Sequence, residues 1–218
     1  MACLVLSEQQ RAVREYTATH AREVLGNAFD SYNKLGDQLT RCRATQPFYE
    51  KLISAGLLGK LIPKSCGGSS ESYFDMGLVL EELYAVNSSI SSQLIGTSLG
   101  LLPIVLGDSQ DQKERWLKPF LTSKGTAVAS LAHSEPDGTA NFLEKGGKGL
   151  GTTARKEGDY YIVNGEKVSL LQTQIIRWLT RSRCSSGQPI AAVGTTRVRI
   201  FAVFAFGIRR TVVLRSRT

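Results

Sequence analysis

The 218 residues carry 27 Lys and Arg against 19 Asp and Glu, a formal net charge of +8 that would by itself suggest a phosphate-rich partner. Divided at Val168 the charge separates: the first 168 residues hold 18 basic and 19 acidic side chains, and the remaining 50 hold nine Arg, no Lys and no acid. The long near-neutral block is large enough for one sizeable core and has no run of about 20 apolar residues, which argues against a nucleic-acid binder and against a membrane span.

Cys3, Cys42, Cys66 and Cys184 have no metal-ligand spacing, and the chain has two His, so free thiols and no metal site are expected. The first residues, M-A-C-L-V-L-S-E-Q-Q, lack the basic region of a secretory signal and the Arg-rich pattern of a transit peptide. The expected location is cytoplasmic.

Ser7 with Glu8 and Gln10 reads as a capped helix start. Apolar residues at Val13, Tyr16, Ala21, Val24, Leu25 and Ala28 carry that helix to about Tyr32, with His20 a half-buried packing residue. Pro47 opens a short helix that stops at Gly56. The segment L-I-P-K-S-C-G-G-S-S is a loop with two glycines suited to positive φ. Ser72 begins a third helix with Met76, Leu80, Leu83 and Tyr84 on one stripe. Residues 89–106 form a fourth, poor in charge and therefore buried among its neighbours. Asp108-Ser109 caps a fifth, in which Trp116, Leu117 and Phe120 face inward.

From Gly125 the pattern turns to strands: an apolar one over 126–131, a glycine-rich surface loop over 145–151, and Y-Y-I-V at 160–163. Glu157-Gly158-Asp159 supplies a turn, and Asn164-Gly165 reads as a two-residue hairpin. Helices followed by strands make the fold α+β, with the boundary near Ser123.

The run A-H-S-E-P-D-G-T-A-N from Ala132 to Asn141, followed by T-T-A-R-K-E-G-D-Y-Y-I-V-N-G-E-K from Thr152 to Lys167, resembles the flavin-binding β-domain of the acyl-CoA dehydrogenase superfamily. Its wording is closest to the nitroalkane oxidase branch, and the resemblance covers residues 6–168. It implies an all-α bundle over 1–123 and the first strands of an antiparallel β-barrel domain over 124–168. It also implies FAD as cofactor, with Leu131, Ala132, His133 and Ser134 along the flavin ring and Thr139, Ala140 and Asn141 toward its phosphates.

The activity implied is hydride transfer from an activated C–H of a small molecule, an acyl-CoA or a nitroalkane. Most relatives have Gly-Ser-Asp where this chain has Thr139-Ala140-Asn141, a departure that favours the nitroalkane branch. Glu135 and Asp137 are expected to hydrogen-bond nearby amides rather than act as acid or base, and His133 to pack as a neutral ring beside the flavin. The family's base comes from a C-terminal helical domain that also supports a homo-oligomer. No catalytic residue is therefore expected within this chain, which reads as a truncated form.

After Val168 the family's Trp and Ser/Thr-Asn pair are replaced by Ser169-Leu170-Leu171, and the likeness ends. Residues 169–218 read as an unrelated Arg-rich tail without a native fold. The run V-R-I-F-A-V-F-A-F-G-I within it is β-prone. Binding to nucleic acid is the lesser reading, because phosphate binders mix Lys with Arg.

Overall fold

The computed structural model describes residues 5–107, 109–122, 127–131, 133–135, 144–147, 149–158, 160–165 and 210–215. The chain divides into two compact units, Met1–Ala129 and Ser130–Thr218.

In the first unit, α1 (Glu8–Leu25) starts in a reciprocal capping box: Ser7 Oγ accepts from the Gln10 N–H, and the Gln10 side chain accepts from the Ser7 N–H. The single helix expected to reach Tyr32 is instead two. Gly26 and Asn27, both weak helix formers, separate α1 from α2 (Ala28–Tyr32). The buried stripe nevertheless continues across the break through Thr17, Ala21, Leu25, Ala28 and Tyr32.

The next helix, α3 (Gln38–Ser54), begins well before the expected start at Pro47. Asp37 caps it, accepting from the Thr40 N–H at 2.9 Å, and Pro47 lies exposed within the helix. The first half, Q-L-T-R-C-R-A-T-Q, offers few apolar residues to mark a face. Its end matches the expectation. Gly56 adopts φ +71 while the Leu57 N–H bonds the Leu52 carbonyl and the Gly56 N–H the Ile53 carbonyl, a Schellman termination.

Two short 3₁₀ turns, Gly59–Leu61 and Lys64–Cys66, shape the following loop. Its adjacent glycines answer different needs. Gly67 sits at φ +84, whereas a Cβ on Gly68 would stand 2.0 Å from the Ile62 carbonyl oxygen.

A second capping box, Ser72 with Asp75, opens α4 (Tyr73–Val86). Its buried face is Asp75, Leu78, Val79 and Leu83, rotated from the expected stripe: Met76 and Leu80 pack at the margin, and Tyr84 is exposed. Asn87 then ends α4 and caps α5 (Ser88–Val105) by accepting from the Ile90 N–H. By length and composition α5 could cross a bilayer, but Ile90, Leu94 and Leu101 lie in the core of this unit. The last helix, α6 (Gln110–Leu121), is capped by Ser109 and buries Leu117, with Trp116 and Phe120 partly covered. Leu25, Leu52, Leu83, Leu94 and Leu117, contributed by five different helices, meet in one apolar cluster.

In the second unit, β1 (Thr153–Glu157), β2 (Tyr160–Gly165) and β3 (Arg210–Arg215) form an antiparallel sheet in that order. The fold is thus a helical domain followed by antiparallel strands, as the acyl-CoA dehydrogenase likeness implies. Three expectations need correction. The segment 127–131 belongs to no sheet among the described residues; Val128 and Ala129 pack on the helical core instead. Asn164 and Gly165 form no hairpin turn but are ladder residues, while the turn read at Glu157-Gly158-Asp159 is the one that joins β1 to β2, with Gly158 at φ +56 and Glu157 paired with Tyr160. Finally, Arg210–Arg215, within the tail read as unfolded, pairs with β2; its R-T-V-V-L-R sequence is β-branched, and β2 offers it an edge.

Candidate functional site

In the helical unit, Tyr49 holds the last described stretch before the division of the chain. The Tyr49 hydroxyl donates to the Ala127 carbonyl at 3.0 Å and lies 3.0 Å from Thr97 Oγ1. Burial pushes the Tyr49 phenol up to about 12.

Within the second unit, 130–131 and 133–135 run in neither helix nor sheet. Leu131, His133 and Ser134 are half-buried there. Ala132, Thr139, Ala140, Asn141 and Asp137 lie outside the described residues. Three of the seven expected cofactor residues are therefore seen, on one short segment.

Glu135 closes that segment and is 9% exposed. Its two carboxylate oxygens accept separately: Oε2 from the Gly151 N–H at 2.5 Å and Oε1 from the Thr152 N–H at 3.0 Å. A buried carboxylate without donors would be strongly disfavoured; two charge-assisted bonds supply what water no longer does. Glu135 bonds amides, as its chemistry suggests, but the donors lie 16 and 17 residues further along the chain.

Gly151 makes room for this contact, since a Cβ there would stand 3.3 Å from Oε2. Thr152 continues the chain of contacts. Its side chain covers Gly165, where a Cβ would fall 2.2 Å from Oγ1, and that buried Oγ1 has no hydrogen-bond partner among the described residues. Gly151, Thr152 and Gly165 were not singled out from the sequence as site residues. The only signal was the alignment of two glycines with a Thr around a hairpin, and it becomes meaningful once β1 and β2 are paired.

Other chemistry-bearing groups lie elsewhere. His20 stacks on Tyr16 with ring centroids 4.1 Å apart and its Nδ1 is 2.8 Å from the Tyr16 carbonyl. Cys42 and Cys66 are free and half-buried, and burial pushes the Cys42 thiol up, away from the reactive thiolate. No group of three or more His, Cys, Asp or Glu among the described residues is arranged to hold a metal. An open cleft in the first unit, lined by Gly59, Gly67, Gly68, Phe120 and Leu121 among others, has no titratable side chain among the described residues.

A helical bundle leading into antiparallel strands is also what comparison with known proteins returns. The family model "Acyl-CoA dehydrogenase, N-terminal domain" matches residues 7–124. The chain belongs to the acyl-CoA dehydrogenase family. A nitroalkane oxidase from Fusarium oxysporum is 44% identical over 163 residues, 75% of this chain and 37% of the relative. One from Podospora anserina is 38% identical over 164 residues, 75% and 38% respectively. Among solved structures, a nitroalkane oxidase crystallised with 1-nitrooctane is 43% identical with a TM-score of 0.72, covering 78% of this chain and 39% of that one. An acyl-CoA dehydrogenase from Bacillus anthracis, complexed with FAD, shares the fold at 24% identity, with a TM-score of 0.59 and coverage of 76% and 27%. The chain spans less than two fifths of the length of the nitroalkane oxidases it matches.

Proposed function

We propose that this chain carries the helical domain and part of the flavin site of an FAD-dependent oxidoreductase that takes hydride from an activated C–H of a nitroalkane. The observation that supports this reading is the 44% identity to a nitroalkane oxidase, which extends over 163 residues and so past the helical domain. The described residues fit such a cofactor. Leu131, His133 and Ser134 present an apolar side chain, a ring and a hydroxyl in succession, half-buried on one irregular segment. The Glu135 carboxylate faces the Gly151 and Thr152 amides, so its charge is engaged away from an anionic ligand.

In this reading Leu131, Ala132, His133 and Ser134 would line the flavin ring, with Ser134 offering a hydroxyl close to it. Thr139, Ala140 and Asn141 are assigned to the pyrophosphate. Bound FAD would supply the hydride acceptor, chemistry no side chain here provides. Proton removal from the substrate is assigned to no residue of this chain; Glu135, engaged by two amides, is not offered as the base. Lack of a positioned base would slow turnover by about 10²–10⁴-fold.

A second reading has a specific observation behind it. A cyclohex-1-ene-1-carbonyl-CoA dehydrogenase from Geobacter metallireducens is 37% identical over 112 residues, 51% of this chain and 28% of the relative, so an acyl-CoA is the alternative substrate. The test is purification of the full chain in the presence of FAD. The expected product is yellow, with flavin absorbance bleached anaerobically by 1-nitrohexane and not by butyryl-CoA. Bleaching by the thioester alone would favour the second reading, and a colourless protein would overturn both.

A further inference from the structure

Asp75 and Glu135 are the buried carboxylates among the described residues, and they differ in reach. Asp75 bonds the Ser72 N–H three residues away, an ordinary helix cap. Glu135 instead joins an irregular segment to amides 16 and 17 residues distant, the second of which immediately precedes β1. We infer that Glu135 is a positioning residue of the proposed cofactor site, its carboxylate clamping the segment that carries His133 and Ser134 to the start of β1.

The described residues just before Glu135, 130–131 and 133–134, lie in neither helix nor ladder, whereas Thr152 leads directly into the β1–β2 pairing. A carboxylate suits this task because it accepts on both oxygens and carries no donor. Gln would keep one acceptor and turn an NH₂ toward the other N–H, losing one bond of the pair. Ala would lose both. The donors are main-chain groups, so the clamp depends on Glu135 and on the space left at Gly151 rather than on the Thr152 side chain.

The inference rests on the flavin reading for what the segment holds, and its test separates the two. Amide hydrogen exchange is measured on the full chain without FAD, for the wild type, Glu135→Gln and Glu135→Ala. FAD affinity and the visible spectrum of the bound flavin are then measured for the same three proteins. The Gly151 and Thr152 amides should be protected in the wild type. One of them should exchange about tenfold faster or more in Glu135→Gln, and both in Glu135→Ala, with His133 and Ser134 following. FAD should bind about tenfold more weakly to Glu135→Ala with a shifted flavin spectrum, and Glu135→Gln should fall between.

Free exchange at Gly151 and Thr152 in the wild type would overturn the clamp, as would unchanged protection in Glu135→Ala. Wild-type affinity and spectrum in an FAD-loaded Glu135→Ala would overturn its positioning role. If Glu135→Ala fails to fold, judged by far-UV circular dichroism, Glu135→Gln is held to the same criteria. A wild type that takes up no FAD would defeat the flavin reading, leaving the clamp to be judged by exchange alone.

Discussion

Tyr49 joins three parts of the first unit through one oxygen: α3 carries it, Thr97 of α5 meets it, and the Ala127 carbonyl accepts its hydrogen bond. The folded phenol keeps its proton to about pH 12, against an ordinary value of 10.0. Between those values the folded chain binds more protons than the unfolded one, so stability falls as pH rises through that window. Tyr49→Phe should lose about 1 kcal/mol at pH 7 and abolish the extra decline between pH 10 and 12. Urea unfolding at several pH values checks both. Glycine gives a second prediction at this scale. With only 2.0 Å between a Gly68 Cβ and the Ile62 carbonyl oxygen, Gly68→Ala should cost about 1–3 kcal/mol, read as a lowered melting temperature.

At the level of elements, the helices owe their positions to their caps. Asn87 ends α4 and begins α5, and its Nδ2 donates to the Tyr32 hydroxyl at 3.1 Å. Asn87→Ala should therefore cost more than a surface cap, about 2 kcal/mol, measured by denaturant unfolding. In α3 the opposite change is favourable. Pro47 is exposed inside the helix and cannot donate to the carbonyl one turn back, a defect worth up to about 3 kcal/mol. Pro47→Ala should restore that bond and raise the melting temperature, with a gain nearer 1 kcal/mol because proline also restricts the unfolded chain.

For the whole molecule, the division after Ala129 matters more than the charge boundary at Val168. The first unit owns a continuous apolar cluster drawn from α1 to α6, so a fragment ending at Ala129 should keep a helical far-UV spectrum and a cooperative thermal transition. Residues 130–218 hold Leu131, His133 and Ser134, which the proposed function assigns to the flavin, and the sheet, so on that proposal the same fragment should retain no FAD. Fluorescence titration with FAD, run beside the full chain, checks this.

Sequence alone was sufficient where the governing interactions are local. Ser7 and Ser72 announce helices because their caps close within three residues, and the Gly56 stop reports a backbone conformation. What depended on distant partners was not legible. A break at Gly26-Asn27 is tolerated because the buried stripe resumes beyond it, and the first half of α3 shows too few apolar residues to betray its packed side. Asn164-Gly165 has the composition of a turn, yet the register set by Gly158 places it in a ladder, with Gly165 beneath Thr152. Glu135 could be assigned as an acceptor of amides from its chemistry, but only the tertiary structure decided which amides, because folding brings residues 16 and 17 positions apart in the chain into hydrogen-bonding distance.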